Sequence, residues 1–297
     1  MTIINGKETA ALVKQQIAEQ VKTLTANGQR PPCLAAIIVG HDPASETYVK
    51  NKIQACQECG FTSLHMPLEA NITQEQLLHT IEQLNSNEKV DGIIVQLPLP
   101  SHIDEGAVIN AIDWRKDVDG FHPVNVGRML IGLPAMIPAT PLGILTLLQH
   151  YNIATAGKKC VVMGRSNIVG KPVAQLMMLP QYGNATVTVC HSQTKNVAEE
   201  LRQADIIITA IGQPGFITAD MVKPGAVVLD VGITRVADPT HKKGYRLMGD
   251  VDYEHVAPKC SYITPVPGGV GPMTVCSLMQ NTLKAYNAHN PQHTPQS

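Results

Sequence analysis

Apolar and polar positions change period repeatedly along this 297-residue chain. Over residues 7–27, Val13, Ile17, Val21 and Leu24 fall on one stripe with lysines and glutamines opposite, which predicts a surface helix. Gly28 stops it, and Pro31 and Pro32 prevent its continuation. From Cys33 to Val39 the run is continuously apolar and closes at Gly40, the pattern of a strand buried on both faces. Residues 44–59 suit a helix closed by Gly60. Residues 73–86 predict another, with Leu77, Leu78, Ile81 and Leu84 on its apolar side and Thr73 and Gln76 as a capping box. Gly92 to Leu97 reads as a second buried strand, halted by Pro98 and Pro100. Strand, helix and strand in this rhythm mean a parallel α/β sheet.

The rhythm restarts after Pro141. A helix is expected over 141–151, then a strand Lys159–Met163, a helix Ile168–Leu179 and a strand Ala185–Cys190. A helix over 195–203 and the strands Asp205–Ile211 and Ala226–Val231 follow. This is a second parallel sheet with a mononucleotide-binding order of elements. The chain closes with a Gly/Pro-rich loop, PVPGGVGP, and a helix from Pro272 to Tyr286. The polar tail from Asn287 to Ser297 is expected to be disordered. Met129–Gly157 carries no Asp, Glu, Lys or Arg, but its prolines and polar residues leave no run of ~18 apolar positions. It is read as a buried crossover between two domains.

The length suits two domains. With 44% hydrophobic and 16% charged residues, the chain is neither disordered nor a coiled coil. A net charge of -1 and 4% aromatics argue against a nucleic-acid or anionic-membrane partner. The seven cysteines are read as small buried hydrophobes in a reducing cytosol. Cys56 and Cys59 form a lone CxxC with no second pair, so no metal site is expected. The N-terminus has no long apolar core of a secretory signal.

The most informative stretch is CVVMGRSNIVGKP, residues 160–172. A strand ends at Gly164, a tight turn follows, and a helix opens, so the backbone can approach a pyrophosphate and free amides can donate to it. An NAD site places an acid at the end of the next strand to hold the ribose hydroxyls. Here ATVTVC runs into His191, Ser192, Gln193 and Thr194, with no carboxylate before Glu199. A missing acid with Arg165 and Ser192 close by favours a 2′-phosphate, hence NADP. In the first half, Tyr48 and Lys52 lie four apart on one predicted helix face. Gln96 stands at the carboxyl end of a strand, where open α/β sheets bind ligands. Lys116–Pro123, KDVDGFHP, offers Asp117 and Asp119 in a turn, where acids also commonly cap the backbone.

Together these pieces resemble the bifunctional methylenetetrahydrofolate dehydrogenase/methenyltetrahydrofolate cyclohydrolase family of one-carbon metabolism. The matching segments are SETYVKNK, GIIVQLPLP, KDVDGFHPVNVGR, GRSNIVGKP, CHSQT, DVGI and YITPVPGGVGPMT, in order over nearly the whole chain. The resemblance implies two α/β domains flanking a cleft, the second a Rossmann-type parallel-sheet NADP-binding domain. It implies a folate-binding catalytic domain of residues 1–137 plus 272–297, an NADP-binding domain of 138–271, and a cytoplasmic homodimer. It also implies that Tyr48 stacks on the folate, Lys52 is the catalytic lysine, Gln96 supports it and Asp119 anchors the pterin. Gly164, Arg165, Ser166, Ser192 and Ile233 would contact NADP, and Pro267, Gly268 and Gly269 would line the folate side.

The chemistry fits these residue types. The methylene carbon of 5,10-methylenetetrahydrofolate lies between two nitrogens, so loss of hydride leaves a stabilised cation and needs alignment more than a base. Hydrolysis of that cation moves protons and needs an acid/base group. A free lysine is a poor base at neutrality, and a bound cation with partial burial would improve it. A dehydrogenase without cyclohydrolase activity would lack the Lys52 network. A hydroxy-acid dehydrogenase would want a histidine near the nicotinamide, whereas His191 sits where the adenosine ribose is expected. A nucleotide sensor would need none of the first-domain residues.

Overall fold

The computed structural model describes residues 1–40, 43–240 and 244–290; for 43–48 it describes the backbone. In chain order the elements are β1 (Thr2–Ile3), α1 (Gly6–Ala26), β2 (Cys33–Val39), α2 (Pro43–Cys59), β3 (Thr62–Leu68), α3 (Gln74–Ser86) and β4 (Gly92–Val95). Next come α4 (Glu105–Ala111), α5 (Pro123–Leu130), α6 (Ala139–His150), β5 (Lys159–Met163), α7 (Gly170–Met178), β6 (Thr186–Cys190), α8 (Val197–Gln203) and β7 (Ile206–Thr209). The last are β8 (Val227–Asp230), β9 (Thr234–Ala237), β10 (Tyr245–Met248), α9 (Tyr253–Val256), β11 (Tyr262–Ile263) and α10 (Val270–His289). They form two compact units: Met1–Ala10 with Thr140–Thr274, and Ala11–Ala139 with Val275–Ser297.

The second of these units holds a three-stranded parallel sheet in the order β3-β2-β4. β2 is central, and its continuous apolar run is buried from Cys33 to Ile38. On one face Ile17, Val21, Cys56, Cys59, Leu278, Met279, Leu283 and Tyr286 form one core with Leu34 and Ala36. On the other, Leu77, Ile81 and Leu84 of α3 pack with Ile37, Ile93 and Val108. Each large side chain buried this way contributes roughly 1.5–3 kcal/mol. The capping box of α3 is present: Thr73 Oγ1 accepts from the Gln76 amide at 3.2 Å, and Gln76 Oε1 accepts from the Thr73 amide at 3.0 Å. β3 was not expected. Pro67 cannot donate to a ladder, and β3 tolerates it because it is the edge strand.

The other unit holds a six-stranded parallel sheet, β1-β11-β8-β7-β5-β6. From β5 the chain adds β6 on one side and then β7 on the other. The order of strands therefore reverses at β5, the topological switch point where doubly wound sheets bind ligands. Val161, Ile207 and Val228 sit at the centre of its core. β1 pairs with β11, so residues 1–10 join this sheet and not the unit that carries the rest of 1–137. A two-residue strand carries no periodicity to announce itself.

Two further expectations are corrected. The uncharged stretch from Met129 is not buried throughout, since Leu130, Ile131 and Leu133 are 48%, 70% and 46% exposed. The last helix is longer than expected: α10 continues through Asn287 to His289, while residues 291–297 lie outside the described residues. All seven cysteines are buried, and none is in a disulfide. Among the described residues, no helix is long and apolar enough to cross a membrane.

Candidate active site

In the three-stranded unit, β4 ends at Val95 and delivers Gln96 to the carboxyl edge of the sheet. The Gln96 amide still pairs with Ile37 O at 2.9 Å, which extends the ladder and fixes the residue's backbone. Its side chain is fixed too: Nε2 donates to Leu97 O at 2.7 Å, leaving Oε1 to accept from Lys52 Nζ at 3.0 Å. Lys52 reaches it from α2, and Tyr48 stands one turn earlier on that helix. The side chain of Tyr48 lies outside the described residues.

The KDVDGFHP turn divides its charged groups between support and site. Lys116 is buried, and its Nζ donates to the carbonyls of Leu84, Asn85 and Asn87 at 3.1, 2.7 and 2.8 Å. It thus closes the end of α3, where carbonyls lack helical partners. The Asp117 carboxylate is buried and accepts from the His122 amide at 2.8 Å and Asn125 Nδ2 at 2.9 Å. Asp119 is the acid that feels the Lys52 charge. Loss of solvent pushes its carboxyl above the ordinary carboxylate range, the Lys52 charge opposes that shift, and Asp117 adds to it. Gly120 is obligatory at φ +73°, because a Cβ would lie 2.6 Å from Pro138 N. Asn281 of α10 ties this turn to the segment that precedes α6, donating to Val118 O and Ile137 O at 2.8 Å each.

In the six-stranded unit, Met163, Gly164, Arg165, His191, Ser192, Thr194, Val197, Ala210, Ile211, Gln213 and Phe216 line a cavity of about 560 Å³ at the switch point. Gly164 has φ +109°, and a Cβ there would lie 2.6 Å from Ala210 O. A Cβ on Gly170 would lie 2.3 Å from Gly164 O, so the turn and the first residue of α7 both demand glycine. Ser166 Oγ accepts from the amides of Val169 and Gly170 at 3.2 and 3.3 Å, a cap that the sequence reading did not anticipate. His191 N donates to Thr194 Oγ1 at 2.9 Å, and His191 Nδ1 accepts from the Gln193 amide at 3.2 Å. This folds CHSQT into a turn with Ser192 at the cavity.

Sequence reasoning missed the opposite wall. The segment AIGQPGF, Ala210–Phe216, follows β7 at the switch point and contributes Ala210, Ile211, Gln213 and Phe216. Its Gly/Pro content was the available signal. Ile233 does not line this cavity. It lies beyond β8, half exposed, and its Cδ1 would lie 3.2 Å from a Cβ on Gly271. It therefore lies against the first turn of α10, just after the loop that carries Pro267, Gly268 and Gly269. That loop is tightly held: a Cβ on Gly269 would lie 2.6 Å from Pro265 O, and Gly268 O accepts from the Lys7 amide at 3.3 Å. Among the described residues, no group of three or more His, Cys, Asp or Glu could hold a metal ion.

The comparisons account for both halves. Residues 4–119 match the family described as tetrahydrofolate dehydrogenase/cyclohydrolase, catalytic domain, and residues 138–290 match its NAD(P)-binding domain. The chain is 62% identical over 286 residues to bifunctional protein FolD of Phocaeicola vulgatus, covering 96% of this chain and 98% of that one. The crystal structure of bifunctional methylenetetrahydrofolate dehydrogenase/cyclohydrolase from Campylobacter jejuni superposes with a TM-score of 0.91 at 48% identity, covering 97% of this chain and 99% of that one. The Trypanosoma brucei enzyme, solved with NADP cofactor and inhibitor, gives a TM-score of 0.91 at 40% identity and covers 99% of each chain. With matches spanning both of its sheets, the chain belongs to the tetrahydrofolate dehydrogenase/cyclohydrolase family.

Proposed function

We propose that the protein oxidises 5,10-methylenetetrahydrofolate to 5,10-methenyltetrahydrofolate with NADP and then hydrolyses the product to 10-formyltetrahydrofolate. The observation that carries this reading is the Lys52 Nζ to Gln96 Oε1 hydrogen bond of 3.0 Å, made within the influence of the Asp119 carboxyl. Oxidation alone would not call for such a group, whereas hydrolysis does. Lys52 takes a proton from the attacking water and returns one to the departing ring nitrogen. Gln96 holds the amine in place, Asp119 anchors the pterin, and Tyr48 stacks on the folate.

NADP, when bound, accepts the hydride. The cavity at the switch point fits it: no acid stands at the end of β6, Arg165 and Ser192 line the wall, and Gly164 opens the turn. Gly164, Arg165, Ser166 and Ser192 hold the nucleotide. Ile233 shapes the cofactor side and Pro267, Gly268 and Gly269 the folate side of the same reaction. The family resemblance supports a homodimer, and seven buried cysteines outside any disulfide fit a reducing cytoplasm. The six-stranded unit serves as the NADP domain and the three-stranded unit as the folate domain.

The test is a coupled assay with 5,10-methylenetetrahydrofolate and NADP that follows NADPH formation and decay of the methenyl species. Both are expected. NADPH formation with a stable methenyl product would leave a dehydrogenase alone. Nucleotide binding without turnover would leave a sensor.

A further inference from the structure

Two buried acids at the carboxyl edge of the six-stranded sheet hold three loops together. Asp250 is fully buried. Its Oδ2 accepts from Thr209 Oγ1 at 2.9 Å and the Ile211 amide at 2.8 Å, and its Oδ1 accepts from the Gln213 amide at 2.8 Å. Asp230, at the end of β8, accepts through Oδ1 from the Gly232 amide at 2.9 Å and the Asp250 amide at 3.1 Å, and through Oδ2 from the Val251 amide at 2.9 Å. The surroundings are built to admit these carboxylates. A Cβ on Gly232 would lie 2.4 Å from Asp250 Oδ1, and one on Gly249 would lie 2.0 Å from Asp230 Oδ2.

The loops so held are those that matter to the cavity. Ile211 and Gln213 line it, and Ala210 lies between the two Asp250-bound positions Thr209 and Ile211. Gly232 precedes Ile233. Neither acid lines the cavity; Asp250 acts on the wall through the amides of Ile211 and Gln213 and through the Thr209 hydroxyl just before it. A loop rich in glycine and proline has no ladder of its own, so its amides need partners inside the fold. Two carboxylates supply six acceptor contacts between them.

We propose that Asp250, itself gripped by Asp230, is a positioning residue that sets the 210–216 wall of the cofactor cavity and so tunes NADP affinity. The proposal rests on the reading of this cavity as the NADP site. Asp250→Asn is the direct probe. It keeps one carbonyl oxygen for the Gln213 amide and turns an NH2 group toward the Ile211 amide, setting donor against donor. Thr209→Val is the milder probe, since it removes only the hydroxyl contact.

In the full-length enzyme, NADP dissociation constant, NADP KM, kcat and the hydrolysis of supplied methenyltetrahydrofolate are measured for wild type and both variants. Losing a charge-assisted contact predicts about a tenfold or greater rise in NADP dissociation constant and KM for Asp250→Asn. Its kcat and hydrolysis rate should fall far less than that. Thr209→Val should move KM in the same direction by about twofold to fivefold. A merely structural role would lower kcat and hydrolysis together, through loss of folded enzyme, with KM unchanged, and that result overturns the proposal. If Asp250→Asn does not fold, an unchanged NADP dissociation constant in Thr209→Val overturns it. Absence of NADP binding by the wild type would instead strike the reading of the cavity itself.

Discussion

Lys52 and Gln96 are joined by a hydrogen bond in which the lysine can only donate and the glutamine can only accept. Gln96 spends its own amide nitrogen on Leu97 O at 2.7 Å, so Oε1 alone faces Nζ. A side-chain amide that could flip would offer the lysine a clash half the time. Here its orientation is set by the backbone of the next residue.

Removal of the amine separates the two activities. Lys52→Met keeps most of the volume and loses the proton carrier. Methenyl hydrolysis is expected to fall roughly a hundredfold to ten-thousandfold. Hydride transfer should persist, with methenyltetrahydrofolate accumulating, because that step depends on alignment. Folate binding measured directly in the variant is the control. Intact binding with a parallel fall in both activities would mean that Lys52 is no acid/base specific to hydrolysis.

Arg165 is exposed at the rim of the switch-point cavity, where β6 offers no competing acid. Arg165→Ala should weaken NADP by roughly tenfold to over a hundredfold, the worth of about 1.5–3 kcal/mol for a charge-assisted bond. NAD, which lacks the 2′-phosphate, should change little. Equal losses for the two cofactors in side-by-side KM measurements would remove Arg165 from that role.

Much of this arrangement could be read from the chain. The uninterrupted CLAAIIV and GIIVQL runs announced β2 and β4, and with them the place of Gln96 at a carboxyl edge. Thr73 and Gln76 announced the start of α3, and Gly164 the nucleotide turn. What could not be read depends on partners distant in sequence. β1 and β11 are each two residues long and exist because they pair across 260 positions of chain. Which acid of KDVDG serves as a cap cannot be read from the turn alone; Asn125 and His122 close around Asp117, and Asp119 is left to feel the Lys52 charge. Nothing in the sequence marks Asp250; only the fold brings Thr209, Ile211 and Gln213 to it.

Cys56 and Cys59 are both fully buried in the core shared by α1, α2 and α10. Burial pushes their thiols up to about 12 and about 11, so neither offers a thiolate for metal or redox chemistry near neutrality. The double Cys→Ser variant should keep its turnover and need no metal. It should be less stable, because a polar hydroxyl replaces a thiol in an apolar core at a cost of about 1–3 kcal/mol, and each kcal/mol lowers the melting temperature by roughly 2–4 °C. Thermal melts and metal analysis of the two proteins check this. Stoichiometric zinc that disappears together with activity would contradict it.

Asp230 gives the stability of the six-stranded unit a definite pH slope. Burial pushes its carboxyl up to about 7; the amides of Asp250, Val251 and Gly232 resist that shift, and the neighbouring Asp250 charge adds to it. An unfolded aspartate titrates near 3.9. Between those values the folded state binds more protons than the unfolded one, so stability falls as pH rises from about 4 to about 7 and levels off above. The shift corresponds to about 4 kcal/mol as an upper bound. Carboxylates held low by partners, such as Asp205 beside Lys223, act the other way and at lower pH. The comparison that isolates Asp230 is therefore the change in unfolding free energy from pH 4.5 to 7.5 in wild type against Asp230→Asn. The variant is less stable at high pH, because its NH2 group cannot accept from the Val251 amide, but its slope over this window should be less negative than that of the wild type. Identical slopes would mean that the three amides keep Asp230 ionised throughout, and that burial does not decide its charge.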